Sequence, residues 1–425
     1  MKILHINTYS TGGAATAAIR LHQALLKSGY DSKILFLKGT GTIENGYYWN
    51  IKEKVAIKKS FPIRFSKKIK RIVQEILPYR FKQRYKSDNL IMPDVEIFTS
   101  PISEFVIEEH KLLKEADVIQ LHWVSDFLNW KDFFEKVTKP IFWYFHDMNP
   151  ILGGVHYSDD LRRIQGSEIQ KREIQFNRIK EDSLIKVRNL SIQCDSDWLT
   201  KETLKSGRFV NVKNVETIHY SLDFDVFYPL DKETIKKNLG VNSNYTVILF
   251  GCENLQNQRK GLDLLIAAIN SIEEKKNIIL VTFGSGLDLL HETGGEFIIK
   301  NFGKINNLDL QRIVYSVADF FIIPSRQEAF GQTALESLAC GTPVIGFNTG
   351  GIPDIIENEV NGLLVDKITS KDLKDNIVRL IEDKELLYKL TQASRNSVKM
   401  KFSQEKQAKA FVKRYYEQLN KTKNF

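Results

Sequence analysis

Cysteine is scarce in this chain: Cys194, Cys252 and Cys340 are the three among 425 residues, and they lie far apart. That spacing excludes a disulfide framework and any CxxC metal site. No run of 18 apolar residues occurs, so nothing is expected to span a bilayer. The opening Met1-Lys-Ile-Leu-His-Ile-Asn7 reads as a strand and lacks the basic start and long apolar stretch of a signal peptide. Repeats and low-complexity tracts are missing too. A reduced, cytoplasmic protein is the expectation, at most peripheral on the cytoplasmic face of a membrane. What remains has ordinary globular composition, 42% hydrophobic and 27% charged, which excludes wholesale disorder and coiled coil. At about 150 residues per domain the length suggests two or three domains.

Charge is unevenly placed. The net charge is +9, yet residues 51–90 alone carry 13 basic and 3 acidic side chains, so the rest of the chain is close to neutral. Within that segment Phe65, Ile69, Ile72, Val73, Ile76 and Leu77 fall on one helical face, with Arg64, Lys67, Lys68, Lys70 and Arg71 mostly opposite. A basic amphipathic helix is the pattern of a surface that rests on anionic lipid, here through residues 62–86. The other reading is a surface helix packed on its own domain. Nucleic acid is not expected as a partner, because no stacking platform or binding module accompanies the charge.

Strand-like and helical runs alternate throughout. Ile3–Asn7, Ser32–Lys38, Asp117–His122, Pro140–His146, Leu190–Gln193 and Val215–His219 read as strands of one series. A helix is expected over Ala14–Ser28, and a long charged one from about Asp160 to Val187. Asp223–Asn244, with Pro229 and Gly240, reads as a connector. The series then restarts with strands at Thr246–Gly251, Ile278–Gly284, Phe320–Pro324 and Val344–Phe347. Strands separated by helices demand parallel pairing with right-handed crossovers. The expected fold is α/β, two doubly wound Rossmann-like domains at 1–222 and 223–402. A final helix over 403–425, with Phe411, Tyr415 and Leu419 on one face, is expected to pack back on the first domain.

Ligands of such folds bind at the carboxyl ends of strands. The most informative block there is Pro324-Ser-Arg-Gln-Glu328-Ala-Phe-Gly331-Gln-Thr-Ala-Leu-Glu336-Ser-Leu-Ala-Cys-Gly341-Thr-Pro343. A strand ends at Pro324, a loop carries Glu328, and a helix opens near Gly331. The amides of Phe330, Gly331, Gln332 and Thr333, with Ala329 before them, would be free at that helix start and suited to a phosphate. Carboxylates beside such an anion are placed to accept hydrogen bonds from hydroxyls, as a sugar and a ribose offer.

The block resembles the E-x7-E element of the retaining glycosyltransferases of family 4, which have the GT-B architecture of two facing Rossmann-like domains. The resemblance covers nearly the whole chain and is strongest over residues 245–366. It implies a nucleotide-diphosphate sugar, UDP- or GDP-linked, as donor, with no cofactor and no metal. Glu328 would hold the donor sugar and Glu336 the ribose. Gly12-Gly13 looks like the family's glycine-rich loop near the diphosphate, and Arg259-Lys260-Gly261 like its basic element. The chain departs from the family at Cys252, which stands after Gly251 where an arginine is frequent. Gly284-Ser285 and Lys304-Ile305 match positions near the nucleotide. His146-Asp147-Met-Asn-Pro150 and Gly153-Gly-Val-His156-Tyr157 resemble a block of a bacterial exopolysaccharide, colanic-acid-type branch, in which the histidine contacts the donor sugar. The catalytic set implied is therefore His146, Glu328 and Lys260. His122, Trp123, Asp147, His156 and Tyr157 are expected on the acceptor side. Asp195-Ser-Asp197 and Asp223-Phe-Asp225 resemble a metal motif of another architecture and are read as structural. The resemblance suggests a glycan or lipid-linked glycan acceptor in bacterial cell-surface polysaccharide assembly. Alternatives are another GT-B enzyme acting on soluble sugars or nucleotide sugars, or a non-catalytic binder of sugar nucleotides or polyanions.

Overall fold

A computed structural model describes residues 1–49, 95–212, 214–242, 244–286 and 297–423. The basic segment 51–90, with the stretch 62–86 considered for a lipid surface, lies outside the described residues. No helix among the described residues is long and apolar enough to cross a membrane.

Two sheets are formed, and every pairing between their strands is parallel. The first contains β1 (Lys2–Tyr9), β2 (Asp31–Lys38), β3 (Gly46–Tyr48), β4 (Val118–Leu121), β5 (Ile141–Phe145), β6 (Leu190–Cys194) and β7 (Val215–Thr217), in the order β3-β2-β1-β4-β5-β6-β7. The second contains β8 (Thr246–Asn254), β9 (Ile278–Ser285), β10 (Ile298–Asn301), β11 (Phe320–Ile323), β12 (Val344–Phe347) and β13 (Gly362–Val365), in the order β10-β9-β8-β11-β12-β13. Each repeats the strand order of dinucleotide-binding folds, with its switch point between the first and fourth strands. Sheets covered on both faces need apolar strands throughout, and β5 is Ile-Phe-Trp-Tyr-Phe with all five residues buried.

Three sequence expectations change. The long charged helix is two helices, Ser158–Arg163 and Glu168–Leu184, because Gly166 turns left-handed (φ +75°) and Ser167 caps the second by accepting from Gln170 N. The connector holds a helix, Lys232–Asn238, capped by the Asp231 side chain. Short β3, β10 and β13 add edges that weak patterns had hidden.

One apolar cluster crosses between the sheets: it joins Ile3, Leu21 and Phe142 to Leu249, Phe330 and Leu335, and to Phe411 and Tyr415 of the last helix, Gln404–Lys423. Tyr415 packs edge-on to Phe142 at 4.8 Å and donates from its hydroxyl to Gln120 Oε1 at 2.8 Å. Gln407 donates to Tyr144 Oη and His219 O and accepts from Ser221 Oγ. Buried polar groups of this kind are costly to strand. Tyr415→Phe should therefore lower stability by about 1–3 kcal/mol, since Gln120 is left buried with an unmet acceptor; a urea midpoint equal to that of the wild type would show that this bond contributes nothing.

Candidate functional site

The carboxyl ends of both sheets open on one cleft of about 610 Å³, lined by residues from either half of the chain. On one wall β1 runs into Gly12, whose φ of +98° strains any side chain and whose added Cβ would lie 3.4 Å from Glu253 Oε2. Opposite, Gln332 Nε2 reaches across and donates to Gly13 O at 2.9 Å. Two loops from different domains are thereby held face to face.

The second wall is built on a short 3-10 turn, Gln258–Lys260, ending at Gly261. Gly261 is left-handed (φ +73°), and a Cβ there would meet Pro324 O at 1.9 Å. Only glycine permits that approach, and it sets Arg259 and Lys260 against the end of β11. Lys260 Nζ lies 2.6 Å from Glu328 Oε2. Arg259 donates to Glu96 from Nε (2.5 Å) and Nη2 (2.9 Å) and to Gln327 O from Nη1 (2.8 Å), while its guanidinium stacks 3.9 Å over Tyr157. Burial works to raise the Glu328 carboxyl, but Lys260 and Arg259 hold it below the ordinary range. Glu96 behaves alike, burial opposed by Arg259. Both acids stay ionised because each has its cation in contact.

The helix Gln332–Ala339 begins at Gly331 with no side-chain cap. Its first turn bonds start with Ala334 N and Leu335 N, both on Gly331 O. The residues that carry the preceding amides, Ala329, Phe330, Gly331, Gln332 and Thr333, line the cleft. An uncapped helix start of this kind attracts an anion.

The first domain contributes His146, Asp147, Trp123, His156 and Tyr157 to the lining. Asp147 is saturated: it accepts from Trp123 Nε1 (2.8 Å) and Asn149 N (2.9 Å), and its Oδ2 is 2.7 Å from His156 Nδ1. Burial works to raise its carboxyl, and His156 brings it below the ordinary range. His146 is buried, which lowers its ring to about 3 despite Asp147. Both its ring nitrogens are taken, Nε2 by His122 at 3.0 Å and Nδ1 by Tyr220 Oη. Neither is free to accept a proton from a ligand.

Several expected residues do not reach the lining. His122 sits behind His146, hydrogen-bonded to it and to His5, and is almost fully buried. Its place at a strand end by sequence did not disclose that another strand covers it. Glu336 is withdrawn: Arg20 takes Oε1 at 2.6 Å, while Gln311 and Tyr315 donate to Oε2 at 3.0 and 2.9 Å. Gly284 and Ser285 lie at the end of β9, a strand away from the switch point, with the Ser285 hydroxyl turned to Glu253 O. Ile305 packs against the core cluster. Conversely, Glu96, Tyr220, Glu253 and Asp195 line the cleft. Tyr220 follows β7, so the strand-end rule could have found it. Asp195 follows β6, and its pattern with Asp197 reads as structural; Asp197 itself is exposed and gives its amide to Asp354. Glu96 had no sequence signal at all.

Residues 231–397 match the model of the family described as glycosyl transferases group 1. Over 218 residues the chain is 26% identical to the N-acetyl-alpha-D-glucosaminyl L-malate synthase of Bacillus anthracis, covering 50% of this chain and 56% of that protein. The chain spans about half the length of the curated relatives it matches. Two solved structures share the fold over almost their whole length. The sucrose-phosphate synthase of Thermosynechococcus elongatus is 18% identical with a TM-score of 0.69, covering 98% of this chain and 99% of that one. Anabaena HepE, solved with UDP and glucose, is 16% identical with a TM-score of 0.65, covering 97% and 98%. The chain therefore has the GT-B fold of two Rossmann-like parallel-sheet domains, and its residues 231–397 match the glycosyl transferases group 1.

Proposed function

We propose that this chain is a glycosyltransferase that moves a sugar from a nucleotide-diphosphate sugar to a hydroxyl of a glycan acceptor with retention of configuration. The observation that carries the reading is the meeting, in one cleft, of the Lys260–Glu328 pair and the uncapped start of helix Gln332–Ala339. The group 1 match over residues 231–397 supports it, and so does the fold shared with a protein solved with UDP and glucose.

In this reading the diphosphate lies against the amides of residues 330–333, with Lys260 and Arg259 beside it and the Gly12-Gly13 loop opposite. Positive groups aimed at developing charge are usually the largest catalytic term. Glu328 accepts from the donor sugar's hydroxyls. His146, with both ring nitrogens occupied, presents its backbone carbonyl to the sugar. The bond from the anomeric carbon to the phosphate oxygen breaks, the acceptor oxygen bonds on the same face, and its proton passes to the leaving diphosphate. Glu336 reaches the ribose after parting from Arg20. Trp123, Asp147, His156 and Tyr157 form the acceptor side.

The finer reading is a lipid-linked acceptor in bacterial surface-polysaccharide assembly, argued from the His146–Pro150 block and the basic segment. A soluble acceptor is the second reading, favoured by the relative named for L-malate. Partition of labelled product into butanol or into water separates the two.

Three measurements test the proposal. UDP or GDP at 100 times its dissociation constant should stabilise the protein by ~2.7 kcal/mol, several degrees in melting temperature. Lys260→Met should abolish that shift, and no shift from UDP, GDP, ADP or CMP on the wild type would end the transferase reading. An NMR time course with an α-linked donor should show α-linked product first; β-product would rule out retention. Because Glu96 occupies Arg259 where a phosphate would, Glu96→Gln should tighten UDP binding roughly tenfold, about 1.4 kcal/mol by calorimetry. Unchanged affinity would mean that Arg259 does not meet the diphosphate.

A further inference from the structure

Behind the cleft wall lies a row of buried rings. His5 on β1, His122 after β4 and His146 after β5 stack with centroids 5.2 Å apart at each step. His5 Nδ1 is 2.9 Å from His122 Nε2, His122 Nδ1 is 3.0 Å from His146 Nε2, and His146 Nδ1 reaches Tyr220 Oη. The same nitrogens meet at both histidine–histidine contacts.

A neutral imidazole has one N–H and one bare nitrogen, so a row of neutral rings must run in one direction. Burial keeps all three neutral, and the neighbouring rings lower His5 and His122 further. The direction follows from the inner end. His5 Nε2 is buried and without a hydrogen-bond partner among the described residues. Its neighbour His22 spends Nδ1 on Ser32 Oγ and Nε2 on Glu44 O, both at 2.7 Å. Were the row to run inward from Tyr220, His5 Nε2 would be a buried N–H with no acceptor. Running outward, it is only a bare lone pair, which interiors tolerate better.

We infer that His5, His122 and His146 form an outward hydrogen-bond relay, Nδ1–H to Nε2, that holds His146 as the Nδ1–H tautomer and turns the Tyr220 hydroxyl proton away from the ring, toward Asp195 and the cleft. Tyr220 is the group by which this wall donates to a ligand oxygen that takes the place of Asp195, and His5 and His122 are positioning residues. Tyr220 lines the cleft and packs edge-on to Phe330 at 5.0 Å, beside the uncapped helix start. Asp195 lines the same wall; after burial itself, its charge and its side-chain hydrogen bond with the phenol push Tyr220 above its ordinary range. The ligand oxygen is of the phosphate or sugar-hydroxyl class; this identification rests on the proposed transferase reading, whereas the relay does not.

The test is nitrogen-15 NMR of histidine-labelled full-length protein, followed by UDP-glucose titration. Wild type should show His5, His122 and His146 as Nδ1–H tautomers. His122→Leu should shift His146 toward Nε2–H, whereas His122→Asn, whose amide can still donate to His146 Nε2, should keep it. Tyr220→Phe should leave the His146 tautomer unchanged and weaken UDP-glucose binding about tenfold, the worth of one hydrogen bond to a positioned group. An Nε2–H tautomer at His146 in the wild type overturns the relay, as does loss of the Nδ1–H form in His122→Asn. Tyr220→Phe binding as tightly as wild type overturns the donor role. A relay seen in a protein that binds no UDP or UDP-glucose supports the positioning claim and overturns the transferase reading instead.

Discussion

Parallel pairing is the constraint on which the rest of this structure depends. When every strand of a sheet runs one way, every carboxyl end emerges on one edge, and the loops that follow are gathered there. Two such sheets bring Gly12, His146 and Tyr220 from one half to Lys260, Glu328 and Gly331 of the other. Residues more than 300 positions apart meet because of a backbone rule. The continuous apolar cluster and the returning last helix then tie the halves together.

In and beside the cleft, charge is arranged in pairs. Glu328 is held by Lys260, Arg259 by Glu96, Glu336 by Arg20. Removing one member of a buried pair typically costs about 3–5 kcal/mol, since the survivor is left charged and dry. Pairing therefore lets a cleft keep ionised groups ready without a ligand. Two of these pairs cross between the domains, Glu96 with Arg259 and Arg20 with Glu336. A ligand that took either partner would also loosen the contact between the halves.

The first domain solves its polar burial differently, with neutral groups in a row. Imidazole and phenol can each give and accept, so a chain of them satisfies itself with few charges in a low dielectric. Lys180 serves the same wall from beneath, donating to Asn149 O at 2.6 Å and Leu152 O at 3.0 Å. The loop that carries Asp147 and His156 is thus pinned from both sides.

Local pattern made much of this legible. Alternating strands and helices imply two parallel sheets, and the run from Pro324 to Pro343 shows its strand, its loop glutamate and its helix start in the sequence. These are decided by neighbours a few residues apart, through φ restrictions, capping and burial of a face. Gly166 shows the limit, since one left-handed residue split a helix that composition alone would have continued. What the tertiary structure alone decided is which side chain meets which. Arg20 claims Glu336, Glu96 claims Arg259, and His5 covers His122, each pair more than 100 residues apart in the chain. A residue's type and its place at a strand end say what it can do; only the packing of distant elements sets whether it faces the cleft or a partner behind it.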